Sequence, residues 1–100
     1  MLNIVNTAEA GKATLALEGR LDTVTSPELE AELKGILDGA SELTLDFEKL
    51  EYVSSAGLRV LLSAQKAINK KNGIMKIVHV NDVISEVFEV TGFSEILTIE

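Results

Sequence analysis

Two adjacent hydroxyls, Ser54 and Ser55, stand directly ahead of Ala56-Gly57-Leu58 and are the residues whose types and spacing come nearest to chemistry. In open α/β sheets, functional groups gather where a strand ends and a helix begins, because exposed N–H groups and the helix dipole can hold an anion there. The plain task for either serine is to cap the following helix. The sharper one, nucleophilic catalysis, lacks apparatus. A nucleophile elbow needs G-x-S-x-G, whereas Val53 stands two residues before Ser55. His79 is the single histidine; it falls in an apolar strand pattern with no assignable carboxylate to orient it, and reads as a strand residue without a catalytic task. Ser63-Ala64-Gln65-Lys66 fits S-x-x-K, but lies mid-helix without the companion S-D-N and K-T-G elements. The phosphate-binding, dinucleotide-binding and zinc-protease motifs are missing too, so no cofactor and no metal is expected.

Hydrophobic periodicity says which elements must position these residues. Alternation in Asn3-Ile4-Val5-Asn6 and in Ala13-Thr14-Leu15-Ala16-Leu17 predicts two strands joined by a turn around Ala10-Gly11, the second ending at Gly19. Thr25-Ser26-Pro27-Glu28 reads as a helix start, since proline gives up an N–H that goes unpaired in a first turn, and Thr25 and Glu28 have capping-box spacing. Leu29, Leu33, Ile36 and Leu37 form its apolar stripe, Glu28, Glu30 and Glu32 face water, and Gly39 stops it. A third strand, 43–47, precedes a short irregular passage and a helical pattern over 55–71 with Leu58, Leu61, Leu62 and Ile68 on one face. Asn72-Gly73 is a hairpin signal in isolation, but after a helical period and two lysines it marks a helix C-terminus. A strand over 75–80, a short helix over 83–90 backed by Gly92, and a last strand over 96–99 complete the order β-β-α-β-α-β-α-β. Strands alternating with helices predict an α/β fold: a mostly parallel mixed sheet of about five strands, with helices packed on it and an antiparallel addition from the opening pair.

Composition bounds the partners. One hundred residues, 46% apolar and 25% charged, suffice for one domain that buries its own core. The absence of cysteine excludes a disulfide framework. Nine basic residues against 16 acidic ones give a net charge of −7, which disfavours nucleic acid and anionic membranes and favours proteins with basic patches. No export signal or apolar run of membrane-spanning length is visible, so a cytoplasmic protein without membrane insertion is expected. Within this acidic chain, Ser55, Arg59, Ser63 and Lys66 fall along one polar, basic helical stripe, readable either as a solvated face or as a docking surface.

The run from Asp46-Phe47 to Ser55-Ala56-Gly57-Leu58 resembles the signature of STAS-domain anti-sigma factor antagonists, in which a strand leads to a serine followed by a small residue, Gly and Leu. Gly19-Arg20-Leu21-Asp22 followed by Thr25 is similar to the family's G-x-L-D element, and Val87-Phe88-Glu89-Val90-Thr91-Gly92-Phe93 to its third helix and the turn after it. The resemblance covers nearly the whole chain and implies a single STAS domain over 1–100. It implies a regulatory binding protein rather than an enzyme: the unphosphorylated form would bind an anti-sigma factor with an ATP-binding serine-kinase fold and release the sigma factor. Phosphorylation of a serine would switch it off, and a serine phosphatase would restore it. By position that serine is Ser55; Ser54, standing where the family often has Asp, is the secondary candidate. Asp22, Thr25, Ser54, Gly57, Arg59, Ser63 and Lys66 are the expected partner-binding residues, with Asp22 equally readable as a turn residue. The alternative within the same resemblance is a non-switching STAS scaffold subunit of a larger assembly, such as a lipid-transport ATPase or a stress-sensing complex.

Overall fold

The computed structural model describes residues 2–100. Strand β1 (Leu2–Glu9) pairs antiparallel with β2 (Lys12–Leu21) through a two-residue turn at Ala10 and Gly11. Both turn residues have positive φ, 51° and 82°, the backbone twist that suits a tight hairpin. Helix α1 (Ser26–Leu37) carries the chain to β3 (Glu42–Val53), parallel to β2; α2 (Ser55–Lys70) leads to β4 (Ile74–Val78), parallel to β3. Helix α3 (Asp82–Thr91) and a 3-10 turn at Phe93–Glu95 follow. The sheet order is β1-β2-β3-β4.

Alternation along the strands sorts the two faces of the sheet. Leu15 and Leu17 of β2, Leu43, Leu45 and Phe47 of β3, and Met75 and Ile77 of β4 are buried in one cluster with Leu29, Leu33, Leu58, Leu61, Ile68, Ile84 and Phe88 from the helices. Between them Thr14, Ala16, Thr44, Asp46, Lys76 and Val78 are exposed or half-buried on the other face. Each helix is thus held by the apolar stripe its period predicts. Phe47 and Phe88, with ring centroids 6.4 Å apart, fix α3 to the centre of the sheet. The α2 stop lies where Asn72-Gly73 predicts it: Asn72 adopts φ 60°, and the Gly73 N–H donates to Ile68 O at 2.8 Å.

Several boundaries differ from the sequence expectation. Gly19 does not end β2; with φ 112° it bends the strand, and pairing with β3 resumes after register shifts between Ala16 and Glu18 and between Gly19 and Arg20. The passage expected to be irregular after Phe47 is the second half of β3, disguised because Glu48 and Lys49 are both exposed at the bulge before Leu50 and Val53 return to the core. The expected last strand is reduced to one parallel bridge, Ile77 with Ile99. The 3-10 turn leaves a short segment after Leu97, in which Thr98 O accepts from Ile77 N and Glu100 N donates to Ile77 O, both at 2.9 Å. The sheet therefore has four strands rather than about five.

Candidate partner-binding and modification site

Ser54 and Ser55 divide the two tasks between them. Ser54 is the N-cap of α2, extended at φ −94° and ψ 176°, and its Oγ accepts from the Gly57 N–H at 3.5 Å. Its own N–H donates to Leu21 O at 2.8 Å, which ties the helix start to the end of β2. Ser55 is the first helical residue and its side chain is exposed; its hydroxyl makes no hydrogen bond among the described residues.

Gly57 and Thr25 shape this surface from beneath. A Cβ at Gly57 would meet Leu21 Cγ at 2.7 Å and Leu21 O at 3.1 Å, so glycine there lets α2 lie against β2. Gly57 is buried and Thr25 only 2% exposed, so neither offers the contact surface expected of a partner-binding residue. Nor does Thr25 make the expected capping box. Its Oγ1 donates to Arg20 O at 2.7 Å and accepts from Asp22 N at 2.9 Å, and α1 starts without a side-chain cap bond. The Asp22 carboxylate accepts from Val24 N at 3.0 Å and Thr25 N at 3.1 Å, the turn role foreseen as its alternative. The Thr25 N–H, assisted by that of Val24, holds the Asp22 carboxyl below the usual carboxylate range.

Ser55, Arg59, Ser63 and Lys66 are all exposed along α2, as the helical period requires, while Leu58, Leu61 and Ile68 are buried beneath them. Sequence reasoning passed over Val24, an apolar side chain 80% exposed in the loop that Leu21 and Ser54 bring beside the start of α2. Its signal was an apolar residue outside every periodic pattern. Arg20 stacks over the Tyr52 ring, 4.8 Å from its centroid, on the paired ends of β2 and β3.

His79 stands elsewhere and is not an ordinary strand residue. Chain pairing ends at Val78, His79 turns into the left-handed region at φ 59°, and its Nδ1 lies 2.9 Å from Asp46 Oδ1. A carboxylate does orient it, contrary to the sequence expectation. The Asp46 hydrogen bond and charge raise the His79 pKa above the usual imidazole value, with a smaller contribution from Glu48. Partial burial pushes the Asp46 carboxyl up, but the His79 bond and the Glu48 N–H together outweigh it and leave the carboxyl below its ordinary value.

Comparison with known proteins bears on this arrangement. The family model described as Mlab, STAS domain matches residues 5–98. The chain is 32% identical over 97 residues to the anti-sigma-B factor antagonist of Staphylococcus aureus, covering 96% of this chain and 90% of that one. The fold is similar to that of the anti-sigma factor antagonist SpoIIAA in its unphosphorylated form, with a TM-score of 0.85, 15% identity, and coverage of 98% of this chain and 88% of that one. It is also similar to the phosphorylated form of SpoIIAA from Bacillus, with a TM-score of 0.78, 15% identity, and coverage of 98% and 91%. No helix among the described residues is long and apolar enough to cross a membrane.

Proposed function

The chain belongs to the STAS-domain family of anti-sigma factor antagonists, and from that premise we propose that its unphosphorylated form binds an anti-sigma factor built on an ATP-binding serine-kinase fold and so frees a sigma factor. Phosphorylation of Ser55 ends the binding, and a serine phosphatase restores it. The protein is then ligand and substrate, not catalyst. The observation that carries this reading is the division of labour at the start of α2: Ser54 is engaged as a cap, whereas Ser55 is exposed and open to a kinase. The hydrolase alternative finds no support in the His79 contacts, since its imidazole is bonded to Asp46 and not to either serine.

The docking surface in this proposal is Val24, Ser55, Arg59, Ser63 and Lys66, an apolar tip beside a basic stripe, with Asp22 holding the loop in shape. Labelling with the partner kinase and ATP tests the site. Wild type and Ser54→Ala should take up phosphate and Ser55→Ala should not. Label retained by Ser55→Ala would move the site to Ser54, and a partner that binds yet labels none of the three would favour the non-switching scaffold.

A further inference from the structure

We propose that Asp46, Glu48 and His79 form a binding site for a divalent transition-metal ion where β4 ends beside the middle of β3, apart from the α2 surface. The three residues offer one imidazole nitrogen and two carboxylate oxygens, all within 4.8 Å of one another. His79 Nδ1 lies 2.9 Å from Asp46 Oδ1 and 3.9 Å from Glu48 Oε1. Ligand atoms around a tetrahedral ion with bonds near 2.0 Å are about 3.3 Å apart, so these separations bracket what one ion needs. Small side-chain rotations would close the set.

The backbone builds this convergence. Asp46 pairs with Val78 in the parallel β3–β4 register, and His79 follows at the point where β4 stops. Asp46 is set by its neighbours as well, since its Oδ1 accepts from the Glu48 N–H at 3.0 Å. The three side chains are 27%, 68% and 59% exposed for Asp46, Glu48 and His79, so an ion can enter from solvent and keep water in its remaining positions. Asp46 and Glu48 also line a shallow groove of about 160 Å³ on the helix-free face of the sheet, with Ala16, Glu18 and Lys49 among its other lining residues.

Ligand chemistry selects the ion. An imidazole with two carboxylates suits Zn²⁺, Co²⁺, Ni²⁺ or Cu²⁺, whereas Mg²⁺ and Ca²⁺ prefer oxygen throughout. Binding would place the ion where a proton now lies between His79 Nδ1 and Asp46 Oδ1, with that proton released to solvent and the imidazole carrying hydrogen on Nε2. The sequence gives no hint of the site, because 33 residues separate Asp46 from His79 and no ligand spacing is local.

The test is a titration of the full chain with ZnCl₂ at neutral pH in the presence of excess MgCl₂, followed by calorimetry and by amide and imidazole NMR shifts. The expected result is saturable one-to-one binding, with shifts centred on residues 46–48 and 78–79. His79→Asn, chosen because asparagine tolerates the left-handed backbone, should weaken binding by about tenfold or more while leaving the fold intact. Asp46→Asn should act in the same direction. An unchanged Zn²⁺ affinity in His79→Asn, shifts spread over other acidic residues, or displacement by Mg²⁺ would each overturn the proposal.

Discussion

Replacing Ser54 and replacing Ser55 should have separable consequences, because only the first hydroxyl is engaged by the backbone. Ser54→Ala removes an N-cap and should cost about 0.5–2 kcal/mol, toward the lower end given the 3.5 Å bond, whereas Ser55→Ala should change stability by less than about 0.5 kcal/mol. Urea unfolding of the two variants checks both figures. Asp22 gives a pH dependence of known sign. Its folded-state pKa lies below the ordinary 3.8, so its contribution to stability is present above that value and is lost as pH falls through the folded pKa. Asp22→Asn should therefore be less stable than wild type at neutral pH, with the gap closing below about pH 4, as thermal melts across the acid range would show. Ser55 and its stripe were legible in the sequence because helical period alone places Arg59, Ser63 and Lys66 above one another. The Asp46–His79 contact was not, because it exists only through a strand register that no local pattern encodes.

Helix α2 is the element on which the proposed switch would act, and its start is suited to hold a phosphate without melting. A phosphate on Ser55 would carry about −1.5 to −2 charges in the first turn of α2, at the positive end of the helix dipole. Arg59, one turn on and exposed, can pair with it, for about 1 kcal/mol or less at a surface site. Phosphorylated protein should accordingly melt at an unchanged or slightly higher temperature and keep amide protection over residues 56–62. Loss of that protection would mean that phosphorylation acts by unwinding the helix. At this scale the sequence was readable at several points where local chemistry decides, the turn at Ala10-Gly11, the Asn72-Gly73 stop and the apolar stripe of α2, but not at the Thr25 capping box or the Gly19 stop. It misled wherever tertiary pairing decides, as in β3, whose alternation is interrupted by a bulge yet continues along β2, and in the final segment, where the 3-10 turn leaves one bridge.

Across the whole molecule, the charge distribution argues for a particular kind of partner contact. The chain carries −7 overall, yet Arg59 and Lys66 give the exposed face of α2 the opposite sign, beside the apolar tip at Val24. A partner surface that complements this stripe presents carboxylates, and a phosphate at the head of the stripe would face them, adding repulsion to the cost of desolvating a dianion. In the proposed mechanism, phosphorylation acts by local electrostatics on a fold that stays intact. Calorimetric titration of the anti-sigma factor into unmodified protein, Ser55-phosphorylated protein and Ser55→Asp, each with its melting curve, tests this most directly. Tight binding by the unmodified form, loss of about tenfold or more in affinity on phosphorylation, a smaller loss for Ser55→Asp and no drop in melting temperature are the predicted results. Equal affinity of the unmodified and phosphorylated forms for the anti-sigma factor would contradict the account.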